Sequence, residues 1–440
     1  MYLSNACKKA IESLEKAGFE AYAVGGCVRD SILGKIPTDY DITTSALPDE
    51  TKAVFKNEHV IETGIKHGTV TVLIEHQPLE ITTFRIDKNY SDNRHPEKVE
   101  FTRSLKDDLA RRDFTINALA YSDKTGIIDE FGGISDLEHG TIRAVGEADL
   151  RFNEDALRIM RALRFASVLG FEIEEKTAES IHKNRELLKN ISIERFSSEL
   201  IKLLCGKGAE KILLEFSDVL FVLIPELSVL KDFNQLHFRH DKTAFEHTAA
   251  VIKNTPPKPV LRLAALFHDI AKPRCLNIDE NGIGHYYGHA PIGAFVAKDI
   301  LTRLKLDNET KSAVEELVRL HENRFPAEPK AIKRLLGKIG AERYFDLLEL
   351  MRADDLGKKA EYFPGEEFYE NYRRIAKEII KKSECFSLSD LAVNGKDLIS
   401  AGIPPSPKMG EILQSLLEAV IDETVPNEKA ALLDFVKKLP

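Results

Sequence analysis

The sequence contains few cysteines and no long apolar run. Five cysteines occur in 440 residues without C-x-x-C spacing: Cys7, Cys27, Cys205, Cys275 and Cys385. This number and spacing exclude a disulfide framework and a zinc ribbon, and free thiols are typical of the cytosol. No apolar stretch reaches the roughly 18 residues of a membrane span, and the N-terminal segment predicts an amphipathic helix rather than a signal peptide. We therefore expect a cytoplasmic protein with no membrane partner.

The chain also lacks an excess of positive charge. Its 62 Lys and Arg residues are outnumbered by 71 Asp and Glu residues, which gives a formal net charge of -9. Non-specific nucleic-acid binding needs clustered cations to neutralise phosphates, so this composition excludes that class of protein. An RNA partner must therefore contact local basic strips, such as RSLKDDLARRD, ALRIMRALRF and AIKRLLGKIG.

The pattern of apolar residues changes near residue 150. From about residue 20 to 145, β-rich runs such as EAYAVGG, TVTVLIEH, LEITTFRI and KVEF alternate with helical stretches. After residue 150 the apolar period is helical, with breaks at NTPPKP, NIDENGIGHYYGHAP and PPSPKMG. A chain of 440 residues exceeds one compact core, and it shows no internal repeat. The sequence predicts an α+β head followed by a long helical body.

Two aspartates in the head are spaced by one residue. On an extended strand Asp39 and Asp41 point to the same face, where two carboxylates repel unless a cation lies between them. Magnesium with a nucleoside triphosphate suits such a pair, because this hard cation takes carboxylate and phosphate oxygens. The alternative is a solvated turn, since Pro37–Asp39 also has turn-forming chemistry.

Further polar positions in the head favour the cation. Gly25 and Gly26 allow close approach of a phosphate to the backbone, and Arg29 follows where a helix should begin. Glu80 supplies a third carboxylate in the alternating strand LEITTF. A polar cluster follows inside an apolar segment, formed by Arg112, Asp113 and Asn117.

Four motifs in this order carry a resemblance to a known family. GGCVRD, DYDI, RRDFTINALAY and EDALRIMRALRFA resemble the motif set of the class II tRNA nucleotidyltransferases of the DNA polymerase beta-like superfamily. The resemblance continues to AVNGKDL and PPSPKMGEIL near the C-terminus. It implies a polymerase beta-like head with a mixed sheet, then an all-α neck, an HD-type body and a tail. The expected domains are head 1–140, neck 141–232, body 233–365 and tail 366–440.

The resemblance also implies roles for the head residues. Asp39 and Asp41 would hold two Mg²⁺ ions for an in-line nucleotidyl transfer, with Glu80 at the place of a third carboxylate. The expected nucleotide contacts are Gly25, Gly26, Arg29, Arg112, Asp113 and Asn117. The substrates implied are CTP, ATP and the acceptor end of tRNA.

A predicted helix after the head carries two residues whose side chains suit recognition of a nucleotide base. NEDALRIMRALRFASVLG predicts one helix with Asn153 as its N-cap, which places Asp155 and Arg158 side by side. From the residues alone this is an ordinary helical ion pair. The resemblance implies that the pair reads cytosine and adenine, because Asp accepts from an exocyclic amine and Arg donates to ring acceptors. Arg161 and Arg164 are then candidates for triphosphate or RNA-backbone contacts.

The segment Arg85–Phe101 is polar and rich in residues that break regular structure, so a surface loop is predicted. In the resembled family a flexible loop here implies the ability to switch from C to A addition. The presence of the segment favours addition of the whole CCA sequence.

A second pattern lies in the helical body. An isolated His-Asp pair on an apolar helix is commonly a satisfied core pair. Here the spacing resembles the metal-binding pattern of the HD phosphohydrolase superfamily, which would use a transition metal or magnesium. In some relatives such a domain hydrolyses phosphoesters, and in others it is a scaffold. His285 and His289 could support the ligands or contact a substrate. The implied ligands are His247, His268, Asp269 and Asp354.

We therefore expect template-independent addition of CCA to tRNA, with the tail holding the tRNA elbow. The close alternatives are a CC-adding enzyme, an A-adding enzyme and a poly(A) polymerase, which differ in the nucleotides that they add. An alternative of another class is an HD phosphohydrolase whose head binds RNA. The sequence does not specify an oligomeric state.

Overall fold

The computed structural model describes residues 1–90, 96–382 and 384–437, with side chains left out at 87–90 and 96–99. The chain divides into two compact units, Met1–Val229 with Arg303–Lys305, and Leu230–Thr302 with Leu306–Pro440. Mixed α/β structure in the first unit and helices in the second confirm the predicted fold class. Among the described residues, no helix has the length and apolar character needed to cross a membrane.

The first unit contains the predicted strands and the helices that follow them. Its elements are α1 (Asn5–Lys16), β1 (Ala21–Val24), α2 (Gly26–Ile32), β2 (Asp41–Thr44), α3 (Pro48–Val54), β3 (His59–Ile61), β4 (Thr69–Ile74), β5 (Gln77–Thr83), β6 (Arg85–Tyr90), β7 (Pro96–Phe101), α4 (Leu105–Ala110), β8 (Leu119–Ser122), β9 (Gly126–Asp129), α5 (Gly133–Glu138), β10 (Thr141–Ile142), α6 (Ala148–Glu154), α7 (Leu157–Leu169), β11 (Glu172–Ile173), α8 (Glu175–Asn184), α9 (Ile193–Leu204), α10 (Ala209–Glu215) and α11 (Ser217–Phe221).

The main sheet has the strand order β3-β4-β5-β2-β1-β8-β9. Its central strand β1 is buried along its whole length, and β4 alternates between buried and half-buried positions as its TVTVLI pattern requires. Strand β2 runs antiparallel to β1 and parallel to β5. The register pairs Val24 with Asp41 and Asp41 with Glu80. The end of β1, the start of β2 and the middle of β5 therefore lie side by side.

The predicted loop at 85–101 is wrong for most of its length. Strands β6 and β7 pair antiparallel from Arg85 opposite Phe101 to Tyr90 opposite Pro96. Pairing satisfies backbone N–H and C=O groups that a loop leaves to water, and Ile86 and Val99 are residues that strands favour. Residues 91–95, where the predicted loop continues, lie outside the described residues.

The predicted single helix beginning at Asn153 is also wrong. Asn153 belongs to the preceding helix α6, and Asp155 follows it with extended backbone at φ -137° and ψ 102°. The side chain of Asp155 then accepts a hydrogen bond from the Leu157 N–H at 3.1 Å, where α7 begins. The predicted end of the helix is confirmed, because Gly170 caps α7 in the left-handed conformation at φ 66°.

The second unit is helical apart from one short strand pair. Its elements are α12 (Ala244–Asn254), α13 (Pro259–Phe267), β12 (Asn277–Ile278), β13 (Gly284–His285), α14 (His289–Arg303), α15 (Asn308–Leu320), α16 (Pro329–Ile339), α17 (Ala341–Gly357), α18 (Glu366–Lys381), α19 (Gly395–Ser400), α20 (Lys408–Ile421) and α21 (Lys429–Val436).

Helix α13 lies at the centre of the second unit. Every residue from Leu261 to Phe267 is buried, including Arg262, as expected for a largely apolar helix inside a core. It packs against α12, α15 and α17. The residues that follow it, His268 and Asp269, therefore enter the interior of the unit.

The end of the chain has a core of its own. Side chains from the short turns after Cys385 and from α19, α20 and α21 pack together, with Leu398, Leu416 and Leu432 fully buried. This cluster gives the C-terminal segment the apolar burial that a small helical unit requires.

Candidate active site and a buried histidine cluster

Two of the three predicted carboxylates of the head lie at the edge of the sheet where β2 begins, and the third lies within the neighbouring strand β5. Asp39 is exposed in the segment before β2, Asp41 is the first residue of β2, and Glu80 is its neighbour on β5. The pKa of the Asp41 carboxyl is raised, chiefly by desolvation and also by the charges of Glu80 and Asp39, while Arg112 opposes the rise. This grouping of negative charge favours a bound cation.

The Gly-Gly break carries the chain from β1 into α2 beside these carboxylates. Gly25 adopts φ 75°, which non-glycine residues rarely adopt. A Cβ at this position would lie 3.3 Å from Nη1 of Arg112. Glycine therefore permits the turn and the close approach of that arginine.

A hydrogen-bonded network joins the other predicted polar residues of the head. Asn117 Oδ1 accepts from Arg29 Nη1 at 2.7 Å, and Asn117 Nδ2 donates to Asp113 Oδ1 at 3.0 Å. The second oxygen of Asp113 accepts from Arg161 Nε at 2.8 Å. Although burial opposes it, the charge of Arg161 and the bonds from Asn117 and Arg161 hold the pKa of Asp113 well below its usual range. This residue is therefore an anion that fixes two arginines.

These groups surround one cavity of about 400 Å³. The sequence-predicted residues that line it are Gly25, Gly26, Arg29, Asp39, Asp41, Arg112, Asp113, Asn117, Arg161 and Arg164. Phe165 lines it as well, although the sequence pattern assigned this aromatic residue no role. Its position next to Arg164 and four residues after Arg161 is the signal that could have identified it.

The structure does not pair Asp155 with Arg158 through their side chains. Asp155 Oδ2 accepts from Arg195 Nη2 of α9 at 2.9 Å. Arg158 donates to Glu154 Oε2 at 2.7 Å and to the Arg111 carbonyl at 2.8 Å. The predicted side-by-side pair is therefore wrong. The chain breaks between α6 and α7, and the side chains of Asp155 and Arg158 bond to other partners.

The four predicted ligands of the body converge in its interior. His247 of α12 and Asp354 of α17 approach to 3.0 Å, measured from Nε2 to Oδ1. His268 Nε2 lies 3.4 Å from His247 Nε2 and 3.1 Å from Asp269 Oδ2. All four residues are buried.

Two further histidines complete a second group that the sequence pattern did not define. His289 begins α14 and His321 follows α15. Their Nε2 atoms lie 3.3 Å apart, and His289 Nε2 lies 3.3 Å from Asp269 Oδ1. Potential ligand atoms therefore form two sets of three: His247, His268 and Asp354, and Asp269, His289 and His321. We call the six residues the histidine cluster.

Backbone contacts orient the histidine rings. The Nδ1 atoms of His268, His289 and His321 lie 2.7 to 2.8 Å from the carbonyls of the residues three positions earlier. A carbonyl can only accept, so each Nδ1 carries a proton and each Nε2 of the neutral ring presents a lone pair. The facing Nε2 atoms of His289 and His321 therefore need a cation or a proton between them.

Charges around the histidine cluster keep its carboxylates ionised. Although burial opposes it, the pKa values of Asp269 and Asp354 are well below the usual range, mainly because of His268 and Lys358 respectively. Burial lowers the pKa values of His247 and His321 and favours their neutral, metal-binding form. The donor set thus fits divalent transition metals.

His285 and His289 lie in different surroundings. His285 pairs with Asp279, Nε2 to Oδ2 at 2.9 Å, and lines a cavity of about 290 Å³ next to the histidine cluster. His289 belongs to the cluster itself. Basic and acidic side chains both line this neighbouring cavity, namely Arg239, Lys272, Lys358, Asp269, Glu322 and Asp354.

Models of known families match three parts of the chain. "Poly A polymerase head domain" matches residues 21–143, "Probable RNA and SrmB- binding site of polymerase A" matches 170–230, and "tRNA nucleotidyltransferase domain 2 putative" matches 293–436. Together with the carboxylates at the sheet edge, these matches define a nucleotidyltransferase with a poly(A) polymerase-type head.

Full-length relatives narrow this class. The chain is 38% identical over 437 residues to the CCA-adding enzyme of Lactobacillus delbrueckii subsp. bulgaricus, covering 97% of this chain and 96% of the relative. It is 37% identical to that of Lactiplantibacillus plantarum, covering 98% and 95%. The chain belongs to the family of CCA-adding enzymes.

A solved structure supports the same assignment. The crystal structure of Bacillus stearothermophilus CCA-adding enzyme in complex with CTP is similar with a TM-score of 0.73 and 32% identity. The similarity covers 98% of this chain and 96% of that one.

Proposed function

We propose that this chain adds C, C and A to the 3′ end of tRNA from CTP and ATP, releasing pyrophosphate at each step without a nucleic-acid template. The observation that carries the proposal is the position of Asp39 and Asp41 at the sheet edge, on a cavity also lined by arginines. Full-length similarity to CCA-adding enzymes favours it over partial addition or poly(A) synthesis.

The carboxylate edge fits divalent metal ions, and we assign Mg²⁺ to it. Asp39 and Asp41 would be the ligands, with Glu80 close beside Asp41. When bound there, two such ions lower the pKa of the RNA 3′-hydroxyl and neutralise the departing pyrophosphate. Desolvation and the charges of Glu80 and Asp39 raise the pKa of Asp41, and a bound cation would oppose this rise.

The arginines of the cavity bind and orient the triphosphate. Arg29 is fixed by Asn117 and Arg161 by Asp113, so neither needs to reorganise when the anion arrives. Gly25 and Gly26 let the phosphates approach the backbone. Arg112 lines the same cavity close to Gly25, and there it would contact the nucleotide.

Asp155 and Arg158 select the base. An ionised Asp accepts from the amine of cytosine or adenine, while uracil and guanine present a carbonyl there and leave buried groups unpaired. Arg195 holds Asp155 and Glu154 holds Arg158. These two partners keep the reading groups in place.

We keep the four-part division at 1–140, 141–232, 233–365 and 366–440 as a proposal, with the tail binding the tRNA elbow. The apolar cluster around Leu398, Leu416 and Leu432 supports a separately packed tail. None of the five cysteines, all of which the structure describes, is in a disulfide, which supports a cytoplasmic location.

The test is incorporation of CMP and AMP into a tRNA transcript that lacks CCA. The wild-type chain should complete the CCA end, and Asp41→Asn should abolish incorporation. Asp123→Asn, which removes an exposed carboxylate of the same unit, is the matched control and should act like wild type. Retained incorporation by Asp41→Asn would overturn the proposal.

A second function is supported by the histidine cluster. We propose that it holds two divalent transition metals and that the body hydrolyses phosphoesters. The carrying observation is the convergence of the Nε2 atoms of His289 and His321, 3.3 Å apart, beside Asp269. Metals bound there would activate a water and neutralise phosphate charge. Lys272 and Lys358 attract the phosphate into the neighbouring cavity.

Metal content and hydrolysis test this second function independently of the first. Purified protein should contain close to two transition-metal ions and cleave bis(p-nitrophenyl) phosphate. His268→Gln and His321→Gln should each lower metal content and hydrolysis, while Asp41→Asn should change neither. A metal-free protein that does not gain hydrolysis when Mn²⁺, Co²⁺ or Ni²⁺ is added would contradict it.

A further inference from the structure

Three guanidinium groups lie over one aromatic ring in the wall of the head cavity. The Cζ atoms of Arg164, Arg29 and Arg161 lie 3.9, 5.0 and 5.3 Å from the ring centroid of Phe165. All three distances fall within the roughly 6 Å over which a ring face attracts a cation. The ring itself is 5% exposed and lines the cavity.

Bringing three cations together is costly unless something compensates their repulsion. The pKa of Arg164 is lowered by burial and further by the charges of Arg161 and Arg29, while Glu199 opposes the change. Among the described residues each guanidinium is ion-paired with one carboxylate, and these pairs are Arg29 with Asp30, Arg161 with Asp113 and Arg164 with Glu199. A guanidinium has five N–H donors, so these contacts leave donors available.

The ring provides the compensation that the carboxylates do not. A π face attracts the cations electrostatically and uses none of their N–H donors, whereas a further carboxylate would compete with a phosphate for them. An aliphatic side chain of similar size would fill the same space without this attraction. The aromatic character of position 165 therefore matters to the arginines as well as to packing.

We propose that Phe165 is a positioning residue for the triphosphate of the incoming nucleotide, holding Arg29, Arg161 and Arg164 as one anion receptor. This inference rests on the nucleotidyl transfer proposed above. Because CTP and ATP share the triphosphate, the ring affects both nucleotides equally and has no part in choosing the base. Inorganic tripolyphosphate has the same chain of three phosphates and should bind to the same three arginines.

The packing role of Phe165 must be separated from this one. Its ring also meets Phe114 edge to face, with centroids 5.8 Å apart and an interplanar angle of 79°. Phe165→Leu keeps an apolar side chain but removes the ring, and Phe165→Tyr keeps the ring. Phe84→Leu is the matched control, because Phe84 is fully buried in the same unit and no described guanidinium lies over its ring.

The experiment measures kcat and KM for CTP and ATP separately, together with inhibition by tripolyphosphate. We expect Phe165→Leu to raise both KM values by a common factor of about ten and to weaken tripolyphosphate inhibition similarly, with kcat changed less than about twofold. Phe165→Tyr should restore KM, and Phe84→Leu should leave it unchanged.

Three results would overturn the inference: an unchanged KM, a change for one nucleotide alone, or a loss of kcat without a change in KM. Should Phe165→Leu fail to fold, Phe165→Met supplies the same comparison with a more adaptable side chain. A wild-type chain that incorporates no nucleotide would instead contradict the proposed function, so the two failures are distinguishable.

Discussion

The two sites differ in how their negative groups are compensated. In the head, Asp39 and Asp41 face a cavity, and the pKa of Asp41 is raised, chiefly by desolvation and also by the neighbouring carboxylates. In the body, Asp269 and Asp354 are buried, ion-paired with Lys272 and Lys358, and held well below their usual pKa range. On the functions proposed above, the head site would gain its metals with the substrate, and the histidine cluster would retain its metals without substrate.

The largest effect is expected from removing one carboxylate charge at the head site. Asp41→Asn should lower nucleotide incorporation by about a thousandfold or more, because a ligand of the reacting metals is lost. The transition-metal content of the protein should stay unchanged. Single-turnover incorporation measures the first effect, and elemental analysis of the same preparation measures the metal content. Loss of body metal in this variant would show that the two sites are not independent.

Removing a ligand from the histidine cluster is the converse experiment. His268→Gln should weaken metal retention by about a hundredfold or more, since its Nε2 is a converging ligand atom. CMP and AMP incorporation should stay within about twofold of wild type. Dialysis against a chelator followed by elemental analysis measures the first effect. A comparable collapse of incorporation would instead favour a single shared function.

Asp113 tests how much the charge pairs of the head contribute to the stability of the fold. Asp113→Asn should lower the free energy of unfolding at pH 7 by about 3 kcal/mol, because it leaves Arg161 without its buried partner. The folded pKa of Asp113 is below its unfolded value, so its stabilisation is complete above the unfolded pKa near 4 and is lost as pH falls through the folded value. Urea unfolding followed by circular dichroism should show a constant difference from pH 7 to 5 and a smaller one at pH 3. A difference independent of pH would contradict the assignment.

The smallest expected effect concerns base selection. Arg195→Gln should reduce discrimination against UTP by about tenfold, because Asp155 loses the partner that fixes its carboxylate. Arg185→Gln, which removes an arginine paired with Asp218, is the control. Competition between CTP and UTP on one transcript measures the ratio. Unchanged discrimination would mean that Asp155 needs no support from α9.

Local pattern predicted the head site better than the neck. The alternation around Glu80 predicted its strand, and the resemblance placed Glu80 near Asp41, as the register of β2 and β5 shows. Asp39 lies before β2 rather than on the predicted strand. The partner of Asp155 did not follow from the sequence, because Arg195 lies 40 residues away and reaches it only through the packing of α9 on α7. The break between α6 and α7 lies in a polar segment for which the sequence pattern predicts one uninterrupted helix.

In the body, too, the sequence pattern predicted only part of the site. The spacing of His247, His268, Asp269 and Asp354 resembled one group of ligands, and the structure places Asp269 in a second group with His289 and His321. His289 and His321 entered the cluster because their Nδ1 atoms meet backbone carbonyls at helix ends, which turns Nε2 inward. Ring orientation depends on tertiary geometry and leaves no periodic signal in the sequence.

The most direct test of the account is the product formed on three tRNA transcripts, ending at the discriminator base, at C and at CC. Each nucleotide is supplied singly and CTP is then combined with ATP, and the 3′ ends are sequenced. The account predicts addition of C, C and A in order, then a stop, with no use of UTP or GTP. Addition of CC alone, of a single A alone or of an open-ended A tail would contradict it.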